Sequence, residues 1–265
     1  MKRFAVLTDI DGTIIHSAGF YADGDILVET SGAYSGYMHP SVKNAIGLIS
    51  NTATIIPVTT RSVDQYRRIN WPEGTRPDIA IVTNGANLVT PDANKTGVVS
   101  LIDEAEHELW RQEIISTERR LGSFSCVRDT RVVDGSYVLA ILNDASRVQG
   151  HPSCLDVDTT LKVFREGKKV YYFPPYINKS IALAHVRRQI PDAFVIAAGD
   201  SLNDVAMMTY ADFAFAPSSL KSCMANRRAV TFIPDEEFEG ALMPSILGLI
   251  VGAPDKCRGG DFSGV

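Results

Sequence analysis

The chain has 265 residues, 45 % of them hydrophobic and 22 % charged, and its 26 basic and 31 acidic side chains give a formal net charge of −5. That length holds one large domain or two modest ones and buries a core without needing disulfides or metals to fold. The mild acidity argues against a general nucleic-acid binder, which shows a basic face, and no apolar run reaches the ~20 residues of a membrane helix.

The first predicted strand covers residues 4–8, an apolar run ended by polar residues. The opening MKRFAVLTDIDGT does not read as a signal peptide, because Asp9 and Asp11 interrupt it. Residues 17–38 are rich in Gly, Tyr and Ser and too long for an ordinary connection, which marks a functional segment. A helix starts at Pro40, with Val42, Ala45, Ile46 and Ile49 on one stripe. Runs at 53–59, 79–83, 195–198, 213–216 and 230–233 have the length and composition of strands buried on both faces, as in a parallel sheet. A helix from near Asn178 carries Leu183, Val186 and Ile190, and a last one runs from Phe238 toward Ile250, with Pro244 expected to kink or split it.

The middle has a different grammar. Residues 102–121 form a charged amphipathic helix with Trp110, Ile114, Thr117 and Leu121 on one stripe. Two hairpins follow, turning at Asp134-Gly135 and Glu166-Gly167. The stretch 143–158 is weakly patterned. Cys126, Cys154, Cys223 and Cys257 form no CxxC pair and read as reduced thiols of a cytoplasmic protein. The fold class is therefore α/β: a Rossmann-like doubly wound parallel sheet over 1–86 and 175–265, with an α+β module inserted at 87–174.

Chemistry gathers at the carboxyl ends of the predicted strands, where ligands of open α/β sheets bind. The first strand ends in Asp9-Ile10-Asp11-Gly12-Thr13. Two carboxylates so close repel unless a cation or a shared proton compensates. The second ends in Thr59-Thr60-Arg61, whose hydroxyls, amides and cation can hold phosphate oxygens. A later strand ends in Gly199-Asp200-Ser201-Leu202-Asn203-Asp204, where Asp200 and Asp204 supply the hard oxygens Mg²⁺ prefers. Part of that segment also caps a helix. Lys179 opens a helix, where the dipole disfavours a cation, so it reads as facing the anionic site.

In order and spacing, DIDGT, Thr59, Lys179 and GDSLND resemble the motifs of the haloacid dehalogenase superfamily of phosphohydrolases. Asn84-Gly85-Ala86 resembles the step from its core into a C2-type cap. TTR stands where TGR is usual, and 17–38 exceeds the usual flap. The resemblance implies a Mg²⁺-dependent phosphatase of a small phosphorylated metabolite, with sugar phosphates leading. It implies Asp9 as nucleophile, Asp11 as acid and base, and Lys179 as the neutralising cation. Metal would be held by Asp9, Asp200 and the carbonyl of Asp11, with Asp204 either binding metal through water or orienting Lys179. Thr59, Thr60 and Asn203 lie on the phosphate side, and Arg61, Asn84 and Gly85 are candidate substrate contacts. Asp11 should carry a raised pKa. A hexose phosphomutase shares these motifs; a receiver-like phospho-acceptor lacks the inserted module and the Asp-x-Asp pair. His16, His39, His107, His151 and His185 show no ligand spacing, and oligomeric state is not legible.

Overall fold

The computed structural model describes residues 4–90, 97–143, 157–227 and 229–253. The chain forms two compact units, one of residues up to Val99 and from Lys179 onward, the other Ser100–Asn178. In chain order the elements are β1 (Phe4–Thr8), β2 (His16–Ser17), β3 (Ile26–Ser31), β4 (Tyr34–Met38), α1 (Pro40–Ile49), β5 (Ala53–Pro57), α2 (Val63–Arg67), β6 (Ala80–Val82), β7 (Asn87–Val89) and β8 (Val98–Ser100). Next come α3 (Glu104–Gly122), β9 (Val127–Val133), β10 (Tyr137–Leu142), β11 (Lys162–Glu166) and β12 (Lys169–Phe173). The first unit resumes with α4 (Ser180–Gln189), β13 (Phe194–Ala198), α5 (Val205–Tyr210), β14 (Phe213–Pro217), β15 (Val230–Ile233) and α6 (Phe238–Gly252).

Five strands form the parallel sheet of the first unit, in the order β15-β14-β13-β1-β5. Strand alternation explains its two cores. Phe4, Val6, Ile55 and Ile196 pack in one cluster with Val42, Ile46 and Ile49 of α1 and Leu242 and Ile246 of α6. Ala5 and Leu7 point the other way and are equally buried; α4 contacts β1 and α5 contacts β13.

Two expectations are corrected. Residues 79–83 do not extend the parallel ladder. β6 touches the end of β5 through one parallel bridge, Val58 to Ile81, and pairs antiparallel with β7. The reason is local: Thr83, Asn84 and Gly85 all have positive φ, which turns the chain back on itself. Nor does Pro244 split the last helix; it lies inside a continuous α6. Proline cannot donate to the carbonyl four residues back, that of Gly240. Ser41 on α1 donates its Oγ to that oxygen at 2.7 Å instead. Ser41→Ala should therefore leave a helix carbonyl unpaired and cost about 1 kcal/mol, measurable as a lower urea midpoint with an unchanged m-value.

The long segment 17–38 is not a bare loop. β2, β4 and β3 make a small antiparallel sheet, with β3 and β4 turning at Gly32 (φ 59°).

The second unit is an antiparallel sheet, β11-β12-β10-β9, with the expected turns at Asp134-Gly135 and Gly167, all at positive φ. Ile114 and Leu121 of α3 pack on Val138, Ala140, Leu142, Val170 and Tyr172. Asp103 caps α3 by accepting from the Glu106 amide. The opposite face of this sheet is aromatic: Tyr137, Tyr171 and Phe173 lie with ring centroids 4.8–6.2 Å apart. Most of the weakly patterned stretch 143–158, together with Cys154, Cys257 and His151, lies outside the described residues.

Candidate active site

β1 delivers Asp9 to the carboxyl edge of the sheet, where its amide continues the ladder to the carbonyl of Ala198 at 2.9 Å. The chain then turns at once. Gly12 sits at φ 75°, and a Cβ there would lie 2.5 Å from Asp200 Oδ2, so only glycine lets the two carboxyl ends approach. Thr13 Oγ1 donates to Asp200 Oδ1 at 2.9 Å, joining the first motif to the last across 187 residues. Gly199 serves the same end, since a Cβ there would lie 2.3 Å from Asp204 Cγ.

At the centre lies Lys179, its side chain 1 % exposed. Its Nζ is 2.8 Å from Asp9 Oδ1 and 2.5 Å from Asp204 Oδ1. Burial alone would lower its pKa, but Asp204 and Asp9 outweigh burial and raise it, so it stays charged. This explains a lysine at the cap position of α4, where the helix dipole opposes it. Asp204 is also fully buried, and its Oδ2 accepts from Ser201 N at 3.0 Å and Ser201 Oγ at 2.8 Å. Both oxygens of Asp204 are thus engaged by the protein, which makes it the residue that holds Lys179.

Asp9, Asp200 and Asp204 each offer an oxygen within 4.8 Å of the others. Burial pushes the Asp9 carboxyl well above its ordinary range; Lys179 lowers it, and Asp204 and Asp200 raise it again. Three acids gather where Lys179 is bonded to two of them, so acidic oxygens outnumber cations at the site. A divalent cation with hard-oxygen preference fits that donor set, with Asp9 and Asp200 as the carboxylates facing it.

The Thr59-Thr60-Arg61 turn is clamped from behind. The amides of Thr83 and Asn84, both left-handed, donate to the carbonyls of Arg61 (2.8 Å) and Thr59 (2.9 Å). Thr59 Oγ1 accepts from the Arg61 amide at 3.1 Å. Asn84 Oδ1 accepts from Asn203 Nδ2 at 2.8 Å, and Asn84 Nδ2 is buried with no hydrogen-bond partner among the described residues. Asn84 and Gly85 thus build the turn that carries Thr59, alongside any contact with substrate.

Asp11 is bonded by Arg61. The guanidinium grips it in a two-pronged pair, Nε to Oδ2 at 2.8 Å and Nη2 to Oδ1 at 2.7 Å. Burial lowers the Arg61 pKa, and the bonds and charges of Asp11 and Glu29 raise it further than burial lowers it.

Glu29, Tyr34 and Thr13 join the site through contacts no motif signals; only the length of 17–38 points toward the first two. His16 is buried between Asp25 (2.9 Å) and Glu239 (3.3 Å), and His39 caps α1 by accepting from the Ser41 amide. His107 bonds the Tyr176 hydroxyl.

The chain is similar to the sucrose-phosphatase of Synechocystis sp. PCC6803, solved with sucrose and phosphate, at 13 % identity and a TM-score of 0.60, covering 94 % of this chain and 99 % of that one. A phosphatase of the haloalkanoate (HAD) superfamily from Bacteroides thetaiotaomicron matches at 15 % identity and 0.55, over 93 % and 95 %. The fold is the haloacid dehalogenase fold. A protein related to trehalose-6-phosphate phosphatase shares it, at 17 % identity, a TM-score of 0.55 and 93 % and 98 % coverage. No family profile and no curated protein matches the sequence. Parallel pairing of β1 with β13 puts Asp9 and Asp200, which follow their ends, at one carboxyl edge of the sheet.

Proposed function

We propose that this protein is a Mg²⁺-dependent phosphatase of a small phosphorylated metabolite, a sugar phosphate first, acting in the cytoplasm. Residues 1–86 and 175–265 would be its catalytic core and 87–174 its inserted cap. The observation that supports this best is the buried Asp9–Lys179–Asp204 chain beside Asp200. A carboxylate nucleophile facing a phosphate dianion needs a fixed cation beside it and ligand oxygens for a metal ion. The sugar class draws on two of the structural neighbours, named for sucrose and trehalose phosphates.

Asp9, Asp200 and the backbone carbonyl of Asp11 would hold Mg²⁺. When bound, it offsets the charge between the Asp9 carboxylate and the phosphoryl oxygens. Asp9 attacks phosphorus; its new O–P bond forms as the ester P–O bond breaks. Asp11 gives a proton to the departing alkoxide, then takes one from the water that attacks the aspartyl-phosphate and releases inorganic phosphate. Both Asp11 oxygens accept from Arg61, so one must turn from the guanidinium to the ester oxygen. Lys179 keeps its charge against Asp9 throughout, while the Thr59 hydroxyl, the Thr60 amide and Asn203 steady the transferring group.

Asp11→Asn should lose about 10²-fold or more in kcat, yet keep a Mg²⁺-induced rise in Tm because the backbone carbonyl remains. Unchanged turnover at neutral pH would remove Asp11 as acid and base. The direct test is phosphate release from glucose 6-phosphate, sucrose 6-phosphate, trehalose 6-phosphate and p-nitrophenyl phosphate, with Mg²⁺ and with EDTA. Metal-dependent release supports the proposal. Transfer to a sugar hydroxyl without release would identify a mutase, and no reaction with metal bound would refute both.

A further inference from the structure

We infer that Glu29, on the flap formed by β2–β4, is a positioning residue for Asp11 that acts through Arg61. The inference rests on the acid–base role proposed for Asp11.

Glu29 sits on a short solvent-edge hairpin, where a buried carboxylate is out of place. Its side chain is nevertheless 1 % exposed. A register shift between Leu27 and Glu29 breaks the β3–β4 pairing, and Val28 and Glu29 are consecutive buried residues. A regular strand would put one of them on each face. The irregularity therefore re-aims Glu29 inward, as bulges beside active sites do.

There Glu29 meets two guanidinium groups. Oε2 accepts from Arg61 Nη1 at 2.5 Å, and Oε1 lies 3.2 Å from Arg68 Nε. The other edge of the Arg61 fork holds both oxygens of Asp11. A guanidinium is planar and rigid, so fixing one edge fixes the plane of the carboxylate on the other. The backbone of Arg61 is already pinned, its amide by Thr59 Oγ1 and its carbonyl by Thr83 N, leaving only its side chain to be set. Tyr34, on the same hairpin, closes the arrangement with its hydroxyl 3.4 Å from Arg61 Nη2 and 3.5 Å from Asp11 Oδ1. Burial, followed by the Asp11 charge, pushes that hydroxyl up to about 12, so it remains a donor at neutral pH. The flap thus sets the direction from which Asp11 meets the leaving oxygen, and the unusual length of 17–38 acquires a purpose.

The test compares two leaving groups within one variant. p-Nitrophenolate departs from its phosphate without a proton, whereas a sugar alkoxide needs one. In Glu29→Gln, kcat for the fastest sugar phosphate of the panel should fall about tenfold further than kcat for p-nitrophenyl phosphate, with KM shifting less than about twofold for either. A misfolded fraction lowers both rates equally and leaves the ratio untouched. Arg61→Lys, which keeps the charge but loses the fork, should shift the ratio in the same direction. In the Asp11→Asn background Glu29→Gln should shift it no further. Equal losses on both substrates would overturn the inference alone. A wild-type protein that hydrolyses neither would overturn the phosphatase reading and this inference with it.

Discussion

Asp9→Asn should abolish phosphate release, with a fall of at least about 10⁴-fold, in a protein that remains folded. The amide oxygen can still accept from Lys179 Nζ where Asp9 Oδ1 now does at 2.8 Å, and Asp204 still neutralises the lysine. Stability should change little in acid and favour the variant as pH rises in the absence of metal. The sign follows from the raised Asp9 pKa, due first to burial. The folded state binds the Asp9 proton more tightly than the unfolded chain, so this contribution is complete below the unfolded pKa and lost as pH climbs through the folded one. Asparagine carries no such dependence. Urea titrations of metal-free wild type and variant, in acid and at neutral pH, read the difference directly. Added Mg²⁺ should raise Tm strongly in the wild type and weakly in the variant, because one ligand oxygen is lost. Substantial residual hydrolysis by pure variant would remove Asp9 as nucleophile.

Lys179→Met should produce the largest stability loss of any single change in the site. Methionine fits the volume but leaves Asp9 and the fully buried Asp204 without their cation. Removing one partner of a buried ion pair costs about 3–5 kcal/mol, because the remaining charge is desolvated and unpaired. Turnover should collapse as well. Here Asp9→Asn and Lys179→Met should be non-additive: the double variant removes a charge of each sign and should recover part of the stability lost by Lys179→Met alone. Guanidinium unfolding of the four proteins closes that cycle. Strict additivity would mean that the 2.8 Å contact contributes nothing to folding.

The elements of both units were legible because their signals are local. The run at β1 ends in a polar pair, Pro40 opens α1 and Asp134-Gly135 turns a hairpin, each within a few residues. The gathering of charge was legible where residue type contradicts local stability, as for Lys179 at a helix start. What was not legible depends on contacts distant in sequence. Thr13 reaches Asp200 across 187 residues and Asn203 reaches Asn84 across 119. Arg61 could be read as a cation near substrate or in a salt bridge; that its partners are Asp11 and a flap glutamate follows only from the bulge that turns Glu29 inward. Pro244 shows the same limit from the other side. The local rule that proline breaks a helix holds until another helix supplies the missing donor, and Ser41 does so.

The measurement closest to the centre of this account is chemical trapping of the intermediate. Wild type is mixed with the fastest sugar phosphate of the panel and Mg²⁺, quenched in acid during the first turnover, and reduced with borohydride, which converts an acyl phosphate to an alcohol. Peptide mass spectrometry should then find Asp9 as homoserine, dependent on substrate and on metal, with Asp11, Asp200 and Asp204 unmodified. Rapid phosphate release with Asp9 unmodified at every quench time, or modification of another acid in its place, would contradict the account.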